Sequence, residues 1–349
     1  ARTLSEIYFD LEQDPERLRL DLEWERVVQS RDLVILDEAQ VWPEVFAKLR
    51  GAIDADRKRN GRFLLLGSVS PALMTRVSES LAGRLSLVEL TPLLWSELAT
   101  EVSRDRLWLT GGFPDGGVLN PRAFPTWQGD YLDLLVQRDL PSWGLPAKPQ
   151  TIRRLVRMLA AVHGQTWNAS QLGQSLGLSY HTVNSYTDYL EGAFLVRRLP
   201  PFHANIKKRL VKSAKIYWRD TGVLHSLLNV VDRRSLLSQP WVGASWEGFV
   251  VEQTLGLLTA IGRRFDAYHF RTLDRHEIDL LIEIGGELWA IEIKLTASPS
   301  PDAMRLLDDR AYLIGASRRY LVSQTAQTAG DDQRASVNLP RMLELLEQA

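Results

Sequence analysis

The chain has 349 residues, of which 45% are hydrophobic and 24% charged, and at roughly 150 residues per domain this predicts two or three globular domains. Forty-two basic and forty-three acidic residues leave a net charge of −1, so the net charge gives no sign of binding to nucleic acid or membranes. The absence of cysteine excludes disulfides, thiolate metal sites and cysteine nucleophiles. No apolar run reaches the roughly 18 residues of a membrane span and no secretory leader is recognisable, so we expect a cytoplasmic protein without membrane partners.

The first part of the chain alternates strand-like and helical patterns. Short apolar runs typical of buried strands occur at 7–10, 33–36, 63–66 and 87–90. Between the second and third runs, apolar side chains recur at helical spacing, at Trp42, Val45, Phe46, Leu49 and Ile53. Buried strands separated by an amphipathic helix predict βαβ units, and therefore an α/β domain with a parallel sheet.

Two carboxylates, Asp37 and Glu38, follow the second predicted strand. In P-loop ATPases the first carboxylate at such a strand end holds Mg²⁺ and the second polarises the attacking water. Ser68 ends the next strand and would lie at the same edge of the sheet. The alternative is that the acidic pair only caps the next helix. Because the sequence has no Gly-Lys-Ser or Gly-Lys-Thr, we expect that an upstream phosphate-binding loop was removed or that the site is degenerate.

The middle of the chain is predicted to be mainly helical. Residues 99–150, rich in Gly, Pro and Trp, are interpreted as a lid or connecting region. Residues 151–205 show three helical patterns and then a strand, the order of a winged helix-turn-helix. Tyr180, His181 and Asn184 lie on the third helix and would face a nucleic-acid groove. The alternative is that this helix serves protein packing.

A run of basic residues without any acidic residue extends from Arg197 to Arg219, with aromatic residues interleaved. Such a run is typical of a surface that follows the phosphates of DNA or RNA. Its centre is Lys207, Lys208 and Arg209. The alternative is a solvated basic face without a ligand.

The most informative stretch is a predicted hairpin near the end of the chain. Two strand-like runs, 277–284 and 287–294, are separated only by a Gly-Gly pair, which predicts a two-residue turn. Counting back from a closed turn brings Asp279 directly opposite Glu292. Because side chains alternate along a strand, Lys294 then shares their face.

The two faces of this hairpin differ in character. One is wholly apolar and predicts core, with Ile278, Leu280, Ile282, Ile284, Trp289, Ile291 and Ile293. On the other, Asp279 and Glu292 at about 5 Å would repel unless a cation lay between them. Lys294 could orient a water or offset charge on a phosphate, so the face predicts metal-dependent phosphodiester cleavage. The alternative is a solvated face with Lys294 paired to Glu277.

Over nearly the whole chain, these motifs resemble a group of prokaryotic AAA-like ATPases. Such proteins join an AAA-type ATP-binding domain to a winged helix and a C-terminal region similar to PD-(D/E)XK nucleases. Residues 34–40 resemble the Walker B strand and 66–68 the sensor strand. The Walker A segment of the family is absent from this sequence.

Other segments carry the same resemblance. The most family-specific text is at 80–84 and 89–93, and further matches occur at 111–114, 138–140, 212–217, 220–222 and 246–250. The resemblance makes Arg84 the candidate for the arginine that reads the γ-phosphate. It makes Glu247 the first acidic residue of the nuclease motif. An arginine of this kind usually implies neighbouring subunits, so a homo-oligomer is expected.

The leading hypothesis from the sequence is an N-terminally truncated AAA-like ATPase coupled to a C-terminal half that faces DNA or RNA. Asp37 would hold the Mg²⁺ of ATP, Glu38 would act on the water, and Ser68 would position it. The domains would be an AAA-like domain (1–98), a lid (99–150), a winged helix (151–205) and a nuclease-like domain (206–349).

Two other hypotheses stay open. One is a metal-dependent nuclease, with Asp279, Glu292 and Glu247 as ligands of a divalent metal and Lys294 as the catalytic lysine. The other is a non-catalytic DNA-binding or scaffold protein.

Overall fold

The protein is represented by a computed structural model. The residues that it describes are 3–67, 80–203, 211–274 and 276–349. Four predicted site residues lie outside this part of the chain, namely Ser68, Lys207, Lys208 and Arg209. The chain divides into two compact units, 1–87 and 88–349. No helix in the described ranges is both long and apolar enough to cross a membrane.

The first unit is built on a parallel sheet. Its strands are β1 (Tyr8–Asp10), β2 (Val34–Asp37) and β3 (Phe63–Leu65), in the order β1-β2-β3. Its helices are α1 (Asp14–Leu22), α2 (Trp24–Gln29) and α3 (Glu44–Ala55), and residues 39–41 form a short 3₁₀ turn. Both strand pairs are parallel and β2 lies between its neighbours, with its three apolar residues buried. The parallel α/β sheet expected from the sequence is therefore confirmed.

The prediction of a fourth strand at 87–90 is wrong. These residues form no strand, and the side chains of Leu87, Val88 and Leu90 are exposed, the last of them to 98%. An apolar run becomes a buried strand only when a partner strand and a core cover it, and nothing in the described ranges covers this run. In the structure Glu89 forms an ion pair with Arg219 instead.

The second unit begins with helices. They are α4 (Trp95–Leu98), α5 (Arg104–Thr110), α6 (Thr126–Leu134), a π-helical turn (Leu135–Asp139), α7 (Leu140–Ser142), α8 (Pro149–Ala161), α9 (Ala169–Leu176) and α10 (Tyr180–Gly192). The segment interpreted as a lid belongs to the core of this unit. Trp108 is fully buried, its ring meets that of Trp246 edge-on at 5.2 Å, and its indole N–H donates to Ser245 Oγ at 3.0 Å.

The three helices predicted for 151–199 are confirmed as α8, α9 and α10. Asn168 accepts a bond from the Gln171 amide at the start of α9, and Gly177 ends that helix in the left-handed conformation, at φ 69°. A small antiparallel sheet follows, with strands β4 (Gln165–Thr166), β5 (Val196–Leu199) and β6 (Lys215–Trp218) in the order β4-β6-β5. β6 therefore pairs with the helical segment, although the sequence assigned it to the region after 206.

The rest of the chain forms a second sheet and its helices. The strands are β7 (Phe265–Arg271), β8 (Glu277–Ile284), β9 (Glu287–Ile293), β10 (Arg318–Ser323), β11 (Ala329–Gly330) and β12 (Arg334–Asn338), in the order β11-β12-β10-β9-β8-β7. The helices are α11 (Thr221–Leu227), α12 (Arg233–Leu237), α13 (Val242–Ala260), α14 (Pro301–Ile314) and α15 (Leu339–Glu347). α13 and α15 pack on one face of this sheet and α14 on the other.

The predicted hairpin is confirmed in turn and register. Gly285 and Gly286 have φ of 60° and 80°, the left-handed pair that a two-residue hairpin turn requires. β8 and β9 pair antiparallel with Leu280 opposite Ile291, the register that the closed turn predicts. The second face is not solvated, however, because Leu281 is fully buried on that face, beneath α14.

Candidate functional site

The first group of predicted site residues lies at the carboxyl edge of the parallel sheet, where ligands bind in open α/β folds. Asp37 ends β2, where it accepts hydrogen bonds from the Tyr8 hydroxyl and, at 3.1 Å, from the Glu38 amide. The backbone of Glu38 is left-handed, with φ 51°, and its carboxylate accepts a bond from the Gln40 side chain. A short turn thus presents both carboxylates at the end of the central strand.

The side chains at this edge suit a magnesium ion. Mg²⁺ is bound by oxygen ligands, chiefly carboxylates together with water and substrate phosphates. Asp37 and Glu38 supply carboxylate oxygens, and Gln40 Oε1 is a buried amide oxygen without a hydrogen-bond partner in the described structure. A Cβ at Gly67 would lie 2.0 Å from Gln40 Oε1, so a larger residue there would make the Gln40 side chain move.

Arg84 is not brought to this edge in its own chain. Its Nε and Nη2 donate to Asp54 at 2.8 and 2.9 Å, and the pKa of Asp54 falls to about 2 because of its hydrogen bonds from Arg84 and Arg57. Asp54 lies in the last turn of α3. Because α3 starts near the end of β2 and runs back toward the start of β3, Arg84 lies at the opposite edge from Asp37.

The second group is a cluster of four carboxylates in the other unit, here called the acidic centre: Glu247, Glu277, Asp279 and Glu292. Glu247 comes from α13, Glu277 and Asp279 from β8, and Glu292 from β9. Asp279 and Glu292 are each 5% exposed, so the sequence alternative of a solvated face is wrong. The structure brings together the residues that the sequence had selected by strand register and by resemblance.

A lysine that the sequence analysis had not selected lies among these carboxylates. Lys215 Nζ is 2.8 Å from Glu247 Oε1, 2.7 Å from Glu277 Oε1 and 3.6 Å from Asp279 Oδ1, and its side chain is 2% exposed. The Tyr217 hydroxyl donates to the same oxygen of Glu247 at 2.5 Å. Both residues come from β6, so the small sheet supplies the cation of the acidic centre.

Lys294 approaches the centre from the other side. Its Nζ is 2.7 Å from Glu292 Oε1 and 4.0 Å from Asp279 Oδ2, and its side chain is 44% exposed. Arg310 Nη1 lies 3.4 Å from the same oxygen of Glu292. The predicted alternative, a pair between Lys294 and Glu277, is wrong because Glu277 is paired with Lys215.

Burial shifts the titration of two of the carboxyls. The pKa of Glu247 and that of Glu292 are each raised to about 7, first by burial and then by the neighbouring charge of Asp279. Glu292 Oε2 is buried without a hydrogen-bond partner among the described residues. A carboxyl in this setting holds a proton near neutral pH because its ionised form is poorly solvated.

In the described structure a lysine, rather than an open position for a divalent metal ion, lies at the middle of the acidic centre. Within the described ranges, no three His, Cys, Asp or Glu side chains are placed to hold one. The physical reason is local, since Lys215 engages Glu247, Glu277 and Asp279 at once, while Asp279 Oδ2 also accepts the Ile293 amide at 2.9 Å. A metal would have to displace a buried ammonium group that already satisfies these oxygens.

The predicted nucleic-acid residues are only partly accessible. Tyr180 and His181 are exposed at the start of α10, with their ring centroids 3.8 Å apart. Asn184 is half-buried, and its side-chain oxygen accepts the Trp167 indole N–H at 2.9 Å. Two exposed rings therefore remain on this helix for an external ligand.

Four of the five described basic residues of this run are held by acidic side chains and do not form the expected phosphate-tracking stripe, whereas the fifth, Lys212, is exposed. Arg197 pairs with Glu252 at 2.6 Å, and Arg219 pairs with the same carboxylate at 3.1 Å. Arg198 is held by Asp188 and Glu191. Glu252 is distant in sequence from both arginines that it holds, whereas Asp188 and Glu191 belong to the helix just before the run, so the run alone could not reveal these partners. Lys215 is buried in the acidic centre.

One local signal could have revealed Lys215. β6 reads Lys-Ile-Tyr-Trp, and all four of its residues are buried. A lysine in an otherwise apolar strand of this kind requires a buried carboxylate partner, because an unpaired charge is too costly to bury. The identity of that partner could not be read locally, since it lies on another helix and another strand.

Comparison with known proteins assigns the parts of the chain. Residues 2–99 match the AAA domain family. Residues 101–234 and 242–342 match two domains of unknown function, DUF8612 and DUF4143. A crystal structure of protein VC1899 from Vibrio cholerae aligns over 98% of this chain and 96% of its own, at 13% identity, but its TM-score of 0.25 is too low to establish a shared fold.

Relatives of known sequence span most of the chain. The uncharacterized proteins Rv2008c of Mycobacterium tuberculosis and Mb2031c of Mycobacterium bovis are each 40% identical over 301 residues, 86% of this chain and 67% of their own length. An uncharacterized protein of Haemophilus influenzae is 24% identical over 214 residues, 56% of this chain and 52% of its own. With an AAA domain at its start and this identity to the mycobacterial proteins, the chain belongs to a family of AAA-like ATPases that includes them.

Proposed function

We propose that the protein is an ATP-dependent AAA-type switch whose second unit contacts nucleic acid without cleaving it. The observation that carries the first half is the oxygen-rich edge formed by Asp37, Glu38 and Gln40 at the end of the central parallel strand. Asp37 would bind the Mg²⁺ of the nucleotide, and Glu38 would orient the water. In ATP hydrolysis water attacks the γ-phosphoryl group and ADP leaves; Asp37 would hold the Mg²⁺, and Glu38 would accept the proton of the water.

Nucleotide titrations test this proposal. Because this sequence has no Gly-Lys-Ser or Gly-Lys-Thr loop to hold the phosphates, we expect fluorescent ATP to bind weakly, with an affinity that rises when Mg²⁺ is added, and the Mg²⁺-dependent part to be lost in Asp37→Asn. Glu38→Gln should keep binding and lose hydrolysis. The matched control is Asp21→Asn, a carboxylate of the same unit that pairs with Lys48 at its surface. No Mg²⁺-dependent binding in the folded protein would refute the proposal.

The position of Arg84 leads to an oligomeric form of the same proposal. In its own chain Arg84 lies away from Asp37, so it can act on a nucleotide only if the nucleotide is bound by a neighbouring copy. Its two hydrogen bonds to Asp54 would have to open for this role.

Mixing two inactive variants tests this arrangement. Chains with Glu38→Gln and chains with Arg84→Ala should each lack ATPase activity and recover part of it when mixed, because one intact shared site forms. Activity of Arg84→Ala alone equal to the unsubstituted protein would contradict the shared site.

Nucleic-acid contact by the second unit is supported by Tyr180 and His181. Exposed aromatic rings serve as stacking platforms for unpaired bases, at about 1–3 kcal/mol per base. We expect binding of labelled single-stranded DNA or RNA to weaken with salt and to weaken further in Tyr180→Ala. Tyr312→Ala is the matched control, because Tyr312 is 90% exposed on α14. Equal affinities of the two variants would remove α10 from the binding surface.

Substitution of Lys207, Lys208 and Arg209 by alanine tests the remaining part of the basic run. If these residues follow phosphates, the salt dependence of binding should become shallower, with a slope that falls by about one unit for each lost contact. An unchanged slope would exclude them from the interface.

The nuclease hypothesis is disfavoured by Lys215. Cleavage would need Asp279, Glu292 and Glu247 to ligate a metal beside Lys294, and the ammonium group of Lys215 already holds two of these three carboxylates. We therefore expect no cleavage of labelled DNA or RNA with Mg²⁺ or Mn²⁺. Cleavage that Asp279→Ala and Lys294→Ala both abolish would establish a nuclease instead.

A further inference from the structure

The acidic centre has the side chains of a divalent-cation site but contains a protein cation. Glu247, Glu277 and Asp279 converge on a single point, and Lys215 Nζ lies at that point, within 2.7–3.6 Å of all three. The ammonium group is within hydrogen-bonding distance of Glu247 and Glu277 and at ion-pair distance from Asp279, so all three carboxylates share one cation. The oxygens of these three carboxylates that face the ammonium group therefore already have a cation beside them.

We propose that Lys215 is a built-in cation that takes the place of a divalent metal ion in the acidic centre and makes this centre independent of metal. The centre then acts as a permanent link between the small sheet β4-β6-β5 and the six-stranded sheet.

The backbone of Lys215 holds the ammonium group in place. Lys215 opens β6, the middle strand of its sheet, and is paired with Thr166 of β4 on one side and Leu199 of β5 on the other. A residue paired on both sides cannot leave without breaking two strand pairings. Its side chain is 2% exposed, so water has almost no access to the charge. These two features distinguish it from a surface lysine that could swing aside for a metal.

The second lysine of the centre provides the contrast. Lys294 follows β9, its side chain is 44% exposed, and it contacts Glu292 and Asp279 but neither Glu247 nor Glu277 among the ion pairs of the described structure. Removing Lys294 would leave Lys215 between the carboxylates. Removing Lys215 would instead leave Glu247, Glu277 and Asp279 facing one another without their shared cation. Their negative charges would then attract any divalent cation that can reach the site.

Manganese binding to the 349-residue protein tests the proposal. The probe is Mn²⁺ alone, and the readout is the free Mn²⁺ signal in electron paramagnetic resonance during titration. We expect no binding that depends on Asp279 in the unsubstituted protein. Lys215→Met should gain a site at least about tenfold tighter, since a change of 1.4 kcal/mol already gives that factor. Adding Asp279→Asn to Lys215→Met should abolish the new site, and Lys294→Met should gain none.

Three results of these titrations would overturn the proposal. Mn²⁺ binding by the unsubstituted protein that Asp279→Asn removes would show that a metal shares the centre with Lys215. A folded Lys215→Met protein without a new Mn²⁺ site would show that the ammonium group of Lys215 does not occupy a metal position. A new site in Lys294→Met alone would show that Lys294, and not Lys215, occupies it. If Lys215→Met does not fold, the unsubstituted protein and Asp279→Asn still decide: equal Mn²⁺ titrations support the proposal, and a difference refutes it.

Discussion

Two pairs of carboxylates, Asp37 with Glu38 at the end of β2 and Asp279 with Glu292 within the β8–β9 hairpin, have different surroundings. Asp37 is half-buried and accepts its bonds from a hydroxyl and a backbone amide, which carry no charge. Asp279 and Glu292 are buried, and Lys215, Lys294 and Arg310 surround them. Among the described residues no cationic side chain is paired with Asp37, which is why the metal proposal is confined to the first pair.

This difference shows how far residue type alone can predict chemistry. Acidic pairs at strand ends suggest metal sites in both units, yet a metal is required only where the protein leaves the negative charge uncompensated. In the second unit the charge of Asp279 is compensated by Lys215, whose strand β6 lies more than sixty residues earlier in the sequence.

The largest expected effect distinguishes the two lysines of the acidic centre. Lys215→Met should lower the free energy of unfolding by about 3–5 kcal/mol, because it leaves buried carboxylates without their cation. Lys294→Met should cost clearly less, since that side chain is 44% exposed. Urea unfolding followed by fluorescence measures both. Equal losses of unfolding free energy would show that the two lysines stabilise the acidic centre to the same extent.

The next effect concerns the hairpin face that the sequence did not assign to the core. Leu281→Ala should lower the free energy of unfolding by about 3 kcal/mol, because the side chain is fully buried and its removal leaves a cavity beneath α14. The control is Leu273→Ala, at a side chain 64% exposed, which should change the unfolding free energy by less than about 0.5 kcal/mol. A loss below 1 kcal/mol for Leu281→Ala would mean that this face is not packed as described.

A pH series tests the buried charge of Glu292. Its pKa of about 7 in the folded protein lies above the ordinary value of 4.5, so the folded state binds more protons between these values. The stability that Glu292 contributes is therefore full below pH 4.5 and is lost as the pH rises through 7. Glu292→Gln removes this dependence, and we expect it to raise the unfolding free energy by about 1–3 kcal/mol at pH 8.

The same substitution should have almost no effect near pH 5, where Glu292 is already neutral in the folded state. Urea unfolding of the Glu292→Gln and unsubstituted proteins at the two pH values is the measurement. A difference of the same size at both pH values would refute the pKa shift and indicate a packing effect instead.

The smallest stability effect is expected at the first pair of carboxylates. Asp37→Asn keeps an acceptor for the Tyr8 hydroxyl and removes a half-buried charge, so the unfolding free energy should change by less than about 1 kcal/mol. A residue that serves as a metal ligand should affect the affinity for the ligand more than the free energy of unfolding. A loss above 2 kcal/mol would show that Asp37 has mainly a structural role.

Local features of the fold could be predicted from the sequence where neighbours along the chain decide the conformation. The Gly-Gly turn and the alternation of β8 and β9 determine which residues lie opposite each other, so the pairing of this hairpin was predictable. The strand and helix pattern of the first unit likewise predicted its parallel sheet. The apolar run at 87–90 shows the limit, because its pattern suits a strand but no partner strand covers it.

The sequence by itself determined the turn at Gly285, the hairpin register and the acidic strand ends, since each depends on residues within a few positions of one another. Only the tertiary structure decided that Arg197 and Arg219 pair with Glu252 and that Lys215 lies among Glu247, Glu277 and Asp279. The physical reason is that charge compensation depends on distance in space. The three elements that meet at this centre, β6, α13 and β8, approach one another only when the chain is folded.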